Sequence, residues 1–278
     1  MSSVVFALLA VLFSAVHSIT SRSLMRRKLS PEALLIICTG LGSVALIPFI
    51  DFDALLVPEP LLGLILISCF IWNLADYYSE KAHQHLSATA CSILGSLTLV
   101  VVTAAGVMLF DETLGWVGIC GVAIILLGIF VQSTNVEFRW SGIGVKLKLL
   151  AVVTASAAVV LDKYLTEELA PEVILFYGFF ACHVLYLCMF YRHLPSVTKL
   201  LRTAPCTVAC NAACWVLSYH FFLLALAVGS LTVTYTILET TVVAIFILEV
   251  LFLQLRDGLL RRGLASGLCC LGAILVCM

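Results

Sequence analysis

Apolar residues in this chain come in long unbroken runs rather than in alternation. Runs of roughly 20 residues recur at 2–20, 31–50, 60–80, 86–108, 113–132, 143–166, 172–192, 205–226, 230–253 and 258–278. At 1.5 Å of rise per residue, such a run is long enough to cross a bilayer as a helix. A barrel strand would need only about ten alternating residues. The separators are short and carry turn or charge signals, as in Arg26-Arg27-Lys28 to Pro31, Asp51 to Pro60, Asp111-Glu112, Arg139 to Gly144 and Arg256-Asp257-Gly258. The pattern predicts an all-α fold, a polytopic transmembrane bundle of about ten helices. The opening run lacks the basic start of a signal peptide, because its cations follow the apolar stretch, and it is read as a retained helix.

The chain also repeats itself. A shift of 145 sets Ala82 on Ala227, Thr89 on Thr234, Glu112 on Asp257, Leu114 on Leu259 and Gly118 on Gly263. The start of each copy aligns at a shift of 141, where Leu8-Leu9-Ala10-Val11 meets Leu149-Leu150-Ala151-Val152. The units run over 1–135 and 143–278, with five spans each. Five is odd, so the second unit enters the membrane from the opposite side. Two inverted five-helix repeats are a common plan among secondary transporters, whose site lies near the midplane between the halves.

Phe110-Asp111-Glu112-Thr113-Leu114, followed by Gly118, Gly121 and Gly128, resembles the end of an EamA domain, the five-helix repeat of the drug/metabolite transporter superfamily. That family typically ends span four with a Gly-Glu turn and packs a glycine-bearing helix behind it, since glycines let helices approach closely in lipid. The resemblance implies a central cavity among spans one, three, four, six, eight and nine, with five and ten outside. The second copy departs from the pattern, because Leu255-Arg256-Asp257 stands where Gly-Glu is usual. Neither span four nor span nine has the family's common mid-helix proline.

Composition excludes most other classes. Charged residues are 11% and hydrophobic ones 63%, which is too little charge for the surface of a soluble domain of this length. A net charge of -1 and the lack of a basic patch give no reason to expect nucleic acid as a partner. The cysteines fall inside the spans. Cys206, Cys210 and Cys214 share a face but lack paired ligand spacing and a histidine, so inert thiols are expected and no metal. No Walker loop, nucleophile elbow, H-E-x-x-H or dinucleotide turn is present, so no catalytic residue, cofactor or ATP-driven step is expected. The expected partners are a small-molecule solute and the lipid bilayer, with a homodimer compatible, and the expected site is the cell (inner) membrane.

Polar side chains in hydrocarbon are costly and turn toward the bundle interior or a wet cavity. Span nine carries Thr232, Tyr235, Glu239, Phe246 and Glu249 at three-four spacing on one stripe. Span three carries Asn73, Asp76 and Glu80 with Trp72 beside them, and span four carries Thr89, Ser92, Ser96 and Thr103. Span eight offers Asn211, Trp215, Ser218 and Tyr219, and span six Asp162 and Lys163. The candidate substrate- or proton-binding residues are therefore Glu239, Tyr235, Asn73, Asp76, Trp72, Ser96, Trp215 and Tyr219. Glu239 is the sharpest, since a carboxyl far from either interface suits proton exchange or cation binding. Its alternative is a neutral acid that bonds a neighbouring helix. Asp76 and Glu80 could instead be solvated at a span end. His183 reads as a packing histidine, and His83 and His85 as solvated loop residues.

The pattern favours a secondary carrier for a small amine, amino acid or other cationic or zwitterionic solute, working by alternating access with proton coupling or exchange. Spans seven to nine hold no mid-membrane Lys or Arg, which disfavours strongly anionic solutes. The alternative is a non-transporting scaffold or accessory subunit, which would have no use for carboxyls in facing helices.

Orientation follows from the cations, which stay on the cytoplasmic side of short loops. Of 15 Lys and Arg, all but Lys163 lie near the loops after spans one, three, five, seven and nine. The charges place those loops in the cytoplasm and both termini outside it, whereas the family resemblance implies cytoplasmic termini. Alkaline phosphatase fused after Met278 is expected to be active and a fluorescent protein there dark. The reverse result would restore the family's usual orientation.

Overall fold

The computed structural model describes residues 3–50, 55–133, 142–254 and 258–276. Within them every regular element is helical: α1 (Ser3–Arg26), α2 (Pro31–Leu46), α3 (Glu59–Ala82), α4 (Ala88–Gly95), α5 (Leu97–Leu109), α6 (Trp116–Ser133), α7 (Ile143–Glu168), α8 (Pro171–Phe190), α9 (Leu194–Thr203), α10 (Pro205–Val228), α11 (Leu231–Glu239), α12 (Thr241–Phe252) and α13 (Leu259–Val276). The ten predicted spans are all present, with α4–α5 forming span four and α11–α12 span nine. Nine of them are long and apolar enough to cross a membrane by the strictest length, and Trp116–Gln132 is a shorter apolar helix. The chain is a multi-pass integral membrane protein. Asp51, Asp53, Arg139 and the Leu255-Arg256-Asp257 turn lie outside the described residues.

Helix starts follow local chemistry. Ser30, Ser87 and Ser230 each accept a bond from the backbone N–H three residues on, at 3.2–3.3 Å. Pro31, Pro171 and Pro205 occupy first-turn positions, where a missing N–H costs nothing. The short α9 is amphipathic: its Leu200 is buried against the start of α2, and Lys199 and Arg202 are exposed.

The main helix pairs are α1 with α10, α3 with α7, α2 with α8, α6 with α13, and the two halves of span four with those of span nine. The α6–α13 pair is the tightest. A Cβ on Gly121 would lie 2.5 Å from the Gly272 carbonyl, and one on Gly272 would lie 2.6 Å from that of Gly121. The two backbones touch there, which only glycine permits.

Spans four and nine are each broken near mid-membrane, although neither holds a proline. Span four breaks at Ser96, where the Ser96 N–H is shared between the carbonyls of Ser92 and Ile93. Span nine breaks at Thr240, whose N–H and hydroxyl both bond the Ile237 carbonyl. Hydroxyl side chains that bond back to the preceding turn bend helices, and a glycine-serine pair does the same.

A reciprocal pair of carboxylates fixes how these broken spans lie together. Glu112 follows α5 and accepts the N–H groups of Leu231 (2.7 Å) and Thr232 (3.1 Å) at the start of α11. Glu249 in α12 accepts the N–H groups of Ala88 (2.9 Å) and Thr89 (3.0 Å), and the Thr89 hydroxyl, at the start of α4. Each span's end therefore caps the other's beginning. A Cβ on Gly106 would fall 2.7 Å from Glu112 Oε2, so glycine is required for the first cap. Asp111 and Gln254 end the two spans in left-handed backbone, at φ 52° and 51°. Glu249 serves in place of the turn glutamate that the second copy lacks.

The two caps differ in what their loss exposes. Glu112→Ala leaves two N–H groups without their carboxylate and is expected to cost about 1–3 kcal/mol. Glu249→Ala also removes the carboxylate 3.8 Å from the Arg262 guanidinium, an ion pair whose two members are equally buried. The expected cost there is roughly 3–5 kcal/mol. Thermal unfolding in detergent checks the order, and equal losses would mean that Arg262 does not depend on Glu249.

Candidate functional site

A cavity of about 310 Å³ lies between the halves of the bundle. On α7 its wall runs through Lys148, Ala151, Val152, Ala155, Val159, Asp162 and Leu165, a three-four stripe. That stripe covers roughly 25 Å at 1.5 Å per residue, most of the hydrocarbon thickness. On α3 the wall follows Ile65, Ser68, Cys69, Trp72, Ala75, Asp76, Ser79 and Glu80, and it ends at His83. Ser14, His17 and Ser18 come from α1, Trp215, Ser218 and Tyr219 from α10, and Tyr235, Leu238 and Glu239 from α11. Neither α6 nor α13 contributes, in keeping with the outer place implied for spans five and ten.

Two polar centres lie along the cavity. Away from the basic loops, Asp162 is fully satisfied. It accepts bonds from Ser68 (2.9 Å), the Trp72 indole (2.8 Å) and the Tyr219 hydroxyl (2.8 Å). Those donors sit on α3 and α10, so one buried carboxylate ties three helices together. Phe179 packs edge-on to both Tyr219 and Trp215 at this end.

Toward the basic loops lie Asp76, Glu80, Glu239, Lys148, His17 and His83. Glu80 Oε1 accepts from Ser21 (2.9 Å), which itself accepts from Asn211 (2.9 Å). Glu80 Oε2 has no hydrogen-bond partner. His17 Nε2 is 4.0 Å from Glu80 and its ring stacks on Trp215 at 5.4 Å. Lys148 Nζ donates to Ser79 Oγ at 3.1 Å. Glu239 is the last residue of α11, at the break in span nine, and it lies beside Ser96 at the break in span four, whose hydroxyl donates to the Ser92 carbonyl. The two breaks thus meet at one carboxyl. Burial first, then Lys148 and Arg22, hold the His83 imidazole well below its usual range, so it is neutral at physiological pH.

Six of the eight sequence candidates line this cavity: Glu239, Tyr235, Asp76, Trp72, Trp215 and Tyr219. Asn73 does not. It turns to α8, where its Nδ2 donates to the Cys182 carbonyl (3.3 Å) and its own carbonyl accepts from Tyr186 (2.9 Å). Ser96 sits behind Glu239, fully buried. The helical stripe on α3 is centred one residue earlier than the sequence suggested, on Trp72 rather than Asn73. His83, expected to be solvated, is buried at 5% exposure, and only His85 is exposed. His183 packs α8 onto α2 through the Ile36 carbonyl (3.0 Å).

Two wall residues escaped the sequence reading. Lys148 was counted among the loop cations, yet it lies in the second turn of α7, on the cavity face. Its spacing of 14 from Asp162 is four helical turns and marks the shared face. His17 belongs to a Ser14, His17, Ser18, Ser21 stripe that was equally visible.

Residues 1–134 match the EamA-like transporter family, which bears out the resemblance read from the Phe110–Leu114 turn and the glycines after it. That family is consistent with the drug/metabolite transporter superfamily, and the match supports a membrane transporter of that type rather than an enzyme. No curated protein matches the chain. A solved crystal structure that is 13% identical is similar in fold at a TM-score of 0.68, covering 99% of this chain and 96% of that one. At that identity the likeness speaks for the fold alone.

The wall assignments can be read by thiol chemistry. In a background freed of native thiols, Ser79→Cys and Ser92→Cys place a thiol on the cavity wall, and Asn73→Cys and Ser96→Cys place one in packed interior. A charged, membrane-impermeant methanethiosulfonate is expected to modify the first pair at least about tenfold faster, since the reacting thiolate needs water. Equal rates would remove Asn73 and Ser96 from the interior.

Proposed function

We propose that the chain is a secondary carrier that moves a small amine, amino acid or other cationic or zwitterionic solute through this cavity by alternating access. The observation that carries the reading is the position of Glu239. It is a carboxyl at the meeting point of two broken helices, on the wall of a cavity of about 310 Å³. Interrupted helices that cross at mid-membrane are the usual setting of solute and ion sites in carriers. A scaffold would gain nothing from a carboxyl held half-exposed to an internal cavity, because its desolvation is a standing cost.

The moving parts in this reading are two inverted units, 1–135 and 143–278. The pairing of spans supports it: one with eight, six with three, two with seven, four with nine and five with ten. Exchanging each span with the one five places on leaves that list unchanged. The reciprocal Glu112 and Glu249 caps obey the same exchange. Glu239 is the coupling group, taking up a proton or the solute's positive charge in turn. The cell (inner) membrane is the proposed location, and a homodimer is compatible with it.

Uptake of labelled amines and amino acids into proteoliposomes tests the carrier reading, and Glu239→Gln tests the coupling. The amide keeps shape and hydrogen bonding but cannot ionise. Uptake is expected to fall by at least about tenfold, the size of an effect of 1.4 kcal/mol or more on the step, and its pH dependence to disappear. If the Gln variant transports like the parent at every pH, Glu239 is structural and the coupling reading fails.

A further inference from the structure

We propose that Asp76, Glu80 and Glu239 form a site for an organic ammonium ion, and that the Lys148 ammonium, held at its edge on Ser79, competes with the solute for it. This deepens the carrier reading and rests on it for its role in transport, though not for the binding itself.

The placement of Lys148 is the first argument. Its side chain crosses the cavity-facing surface of α4 at Gly95, where a Cβ would lie 3.7 Å from the lysine Cε and 3.9 Å from Nζ. The ammonium is near enough to Asp76, Glu80 and Glu239 to act on all three electrostatically. Yet among the described residues its one hydrogen bond is to the neutral hydroxyl of Ser79, and it makes no ion pair within 4 Å. A lysine locked for stability would be expected to bond a carboxylate directly. This one is held by the field of three carboxyls and leaves room among them.

The second argument is Glu80. Its side chain lines the cavity, the residue is 5% exposed, and its Oε2 has no hydrogen-bond partner. The other oxygen is fixed through Ser21 to Asn211, so the unpaired one is held in place at the cavity wall. A buried acceptor left unpaired is costly unless something completes it. A donor with several N–H groups and a positive charge would do so.

The surrounding charges decide the sign of that ligand. From α3 come Asp76 and Glu80, and from α11 comes Glu239. Against them stand Lys148 from α7, His17 from α1, and His83, which is neutral. Arg22 is engaged with the His83 carbonyl. Lys163 is at the opposite end, bonded to the Leu226 and Gly229 carbonyls and to Glu167. The carboxyls outnumber the cations, so a cation completes this end and an anion does not. Trp215 and Tyr235 on the same wall suit the organic part, since aromatic faces attract ammonium groups.

A tethered cation gives the carrier a simple rule. With solute absent, Lys148 offsets part of the carboxyls' charge from its place on Ser79. With solute present, the solute's ammonium supplies the positive charge among the carboxyls that Lys148 leaves open. A neutral solute supplies none.

Removing the tether should open the site to an outside cation. The protein in detergent is titrated with propylammonium, and with 1-propanol as a neutral match, while thermal stability is followed. A ligand that binds the folded state raises its melting temperature in a saturable way. Lys148→Ala removes the competing tethered charge, so its apparent affinity for propylammonium is expected to exceed the parent's by about tenfold. The response should vanish in Lys148→Ala combined with Glu80→Gln, and 1-propanol should do nothing in any form. Lys148→Gln keeps length and polarity without charge and serves if the alanine variant folds poorly, with the same expected gain. Equal responses of parent and variants overturn the proposal, as does no response in either variant or an equal effect of 1-propanol. Proteoliposome uptake separates this from the broader reading. Transport of some solute that persists without ammonium binding sinks the site and leaves the carrier standing. Ammonium binding without any transport keeps the site and sinks the carrier.

Discussion

The interaction on which the rest depends is the exchange of caps between spans four and nine. Each begins with N–H groups that have no partner within the helix, and within lipid no water is there to supply one. Glu112 satisfies the start of α11 and Glu249 the start of α4. The register of the two spans is thereby fixed at both ends at once. Because both are also broken near their centres, fixed ends bring the breaks together, and Ser96 meets Glu239. A carboxyl lands at mid-cavity as a consequence of two others at the ends.

The carboxyls of this bundle separate by how completely they are satisfied. Glu112, Glu249 and Asp162 each accept two or more hydrogen bonds and hold helices in place. Among the described residues Glu80 retains an unpaired oxygen, and Glu239 borders the cavity beside Ser96. Saturated carboxylates are structural ties, while unsaturated ones in a cavity still have bonding capacity to give to a ligand. The same residue type thus does two kinds of work, and the difference is the number of donors within reach.

The outer pair α6 and α13 shows the complementary device. Where Glu112 and Glu249 use polar caps to fix ends, Gly121 and Gly272 use the absence of side chains to bring two backbones into contact. Between lipid tails there is little hydrophobic gain from associating helices, so close packing has to supply the attraction. Both devices keep the wall of the cavity rigid without placing either outer helix on it.

Sequence alone settled the helices and their number, because a segment that crosses lipid must be apolar for about 20 residues and no other structure satisfies its backbone. It also settled which loops gather the cations and which helices carry polar stripes. Six of the eight candidate residues lie on the cavity wall for the same reason, since polar groups at three-four spacing must share a face. What the tertiary structure decided was which face, and against what. Asn73 and Asp76 are three residues apart, about 60° around a helix, and only the neighbouring α8 determined that one packs and the other lines the cavity. Lys148 looked like a loop cation because its distance along the chain to Asp76 and Glu80 says nothing of its distance in space. The breaks at Ser96 and Thr240 were hidden because hydroxyl back-bonding bends a helix only where packing and end caps hold it bent, and those contacts come from residues more than a hundred positions away.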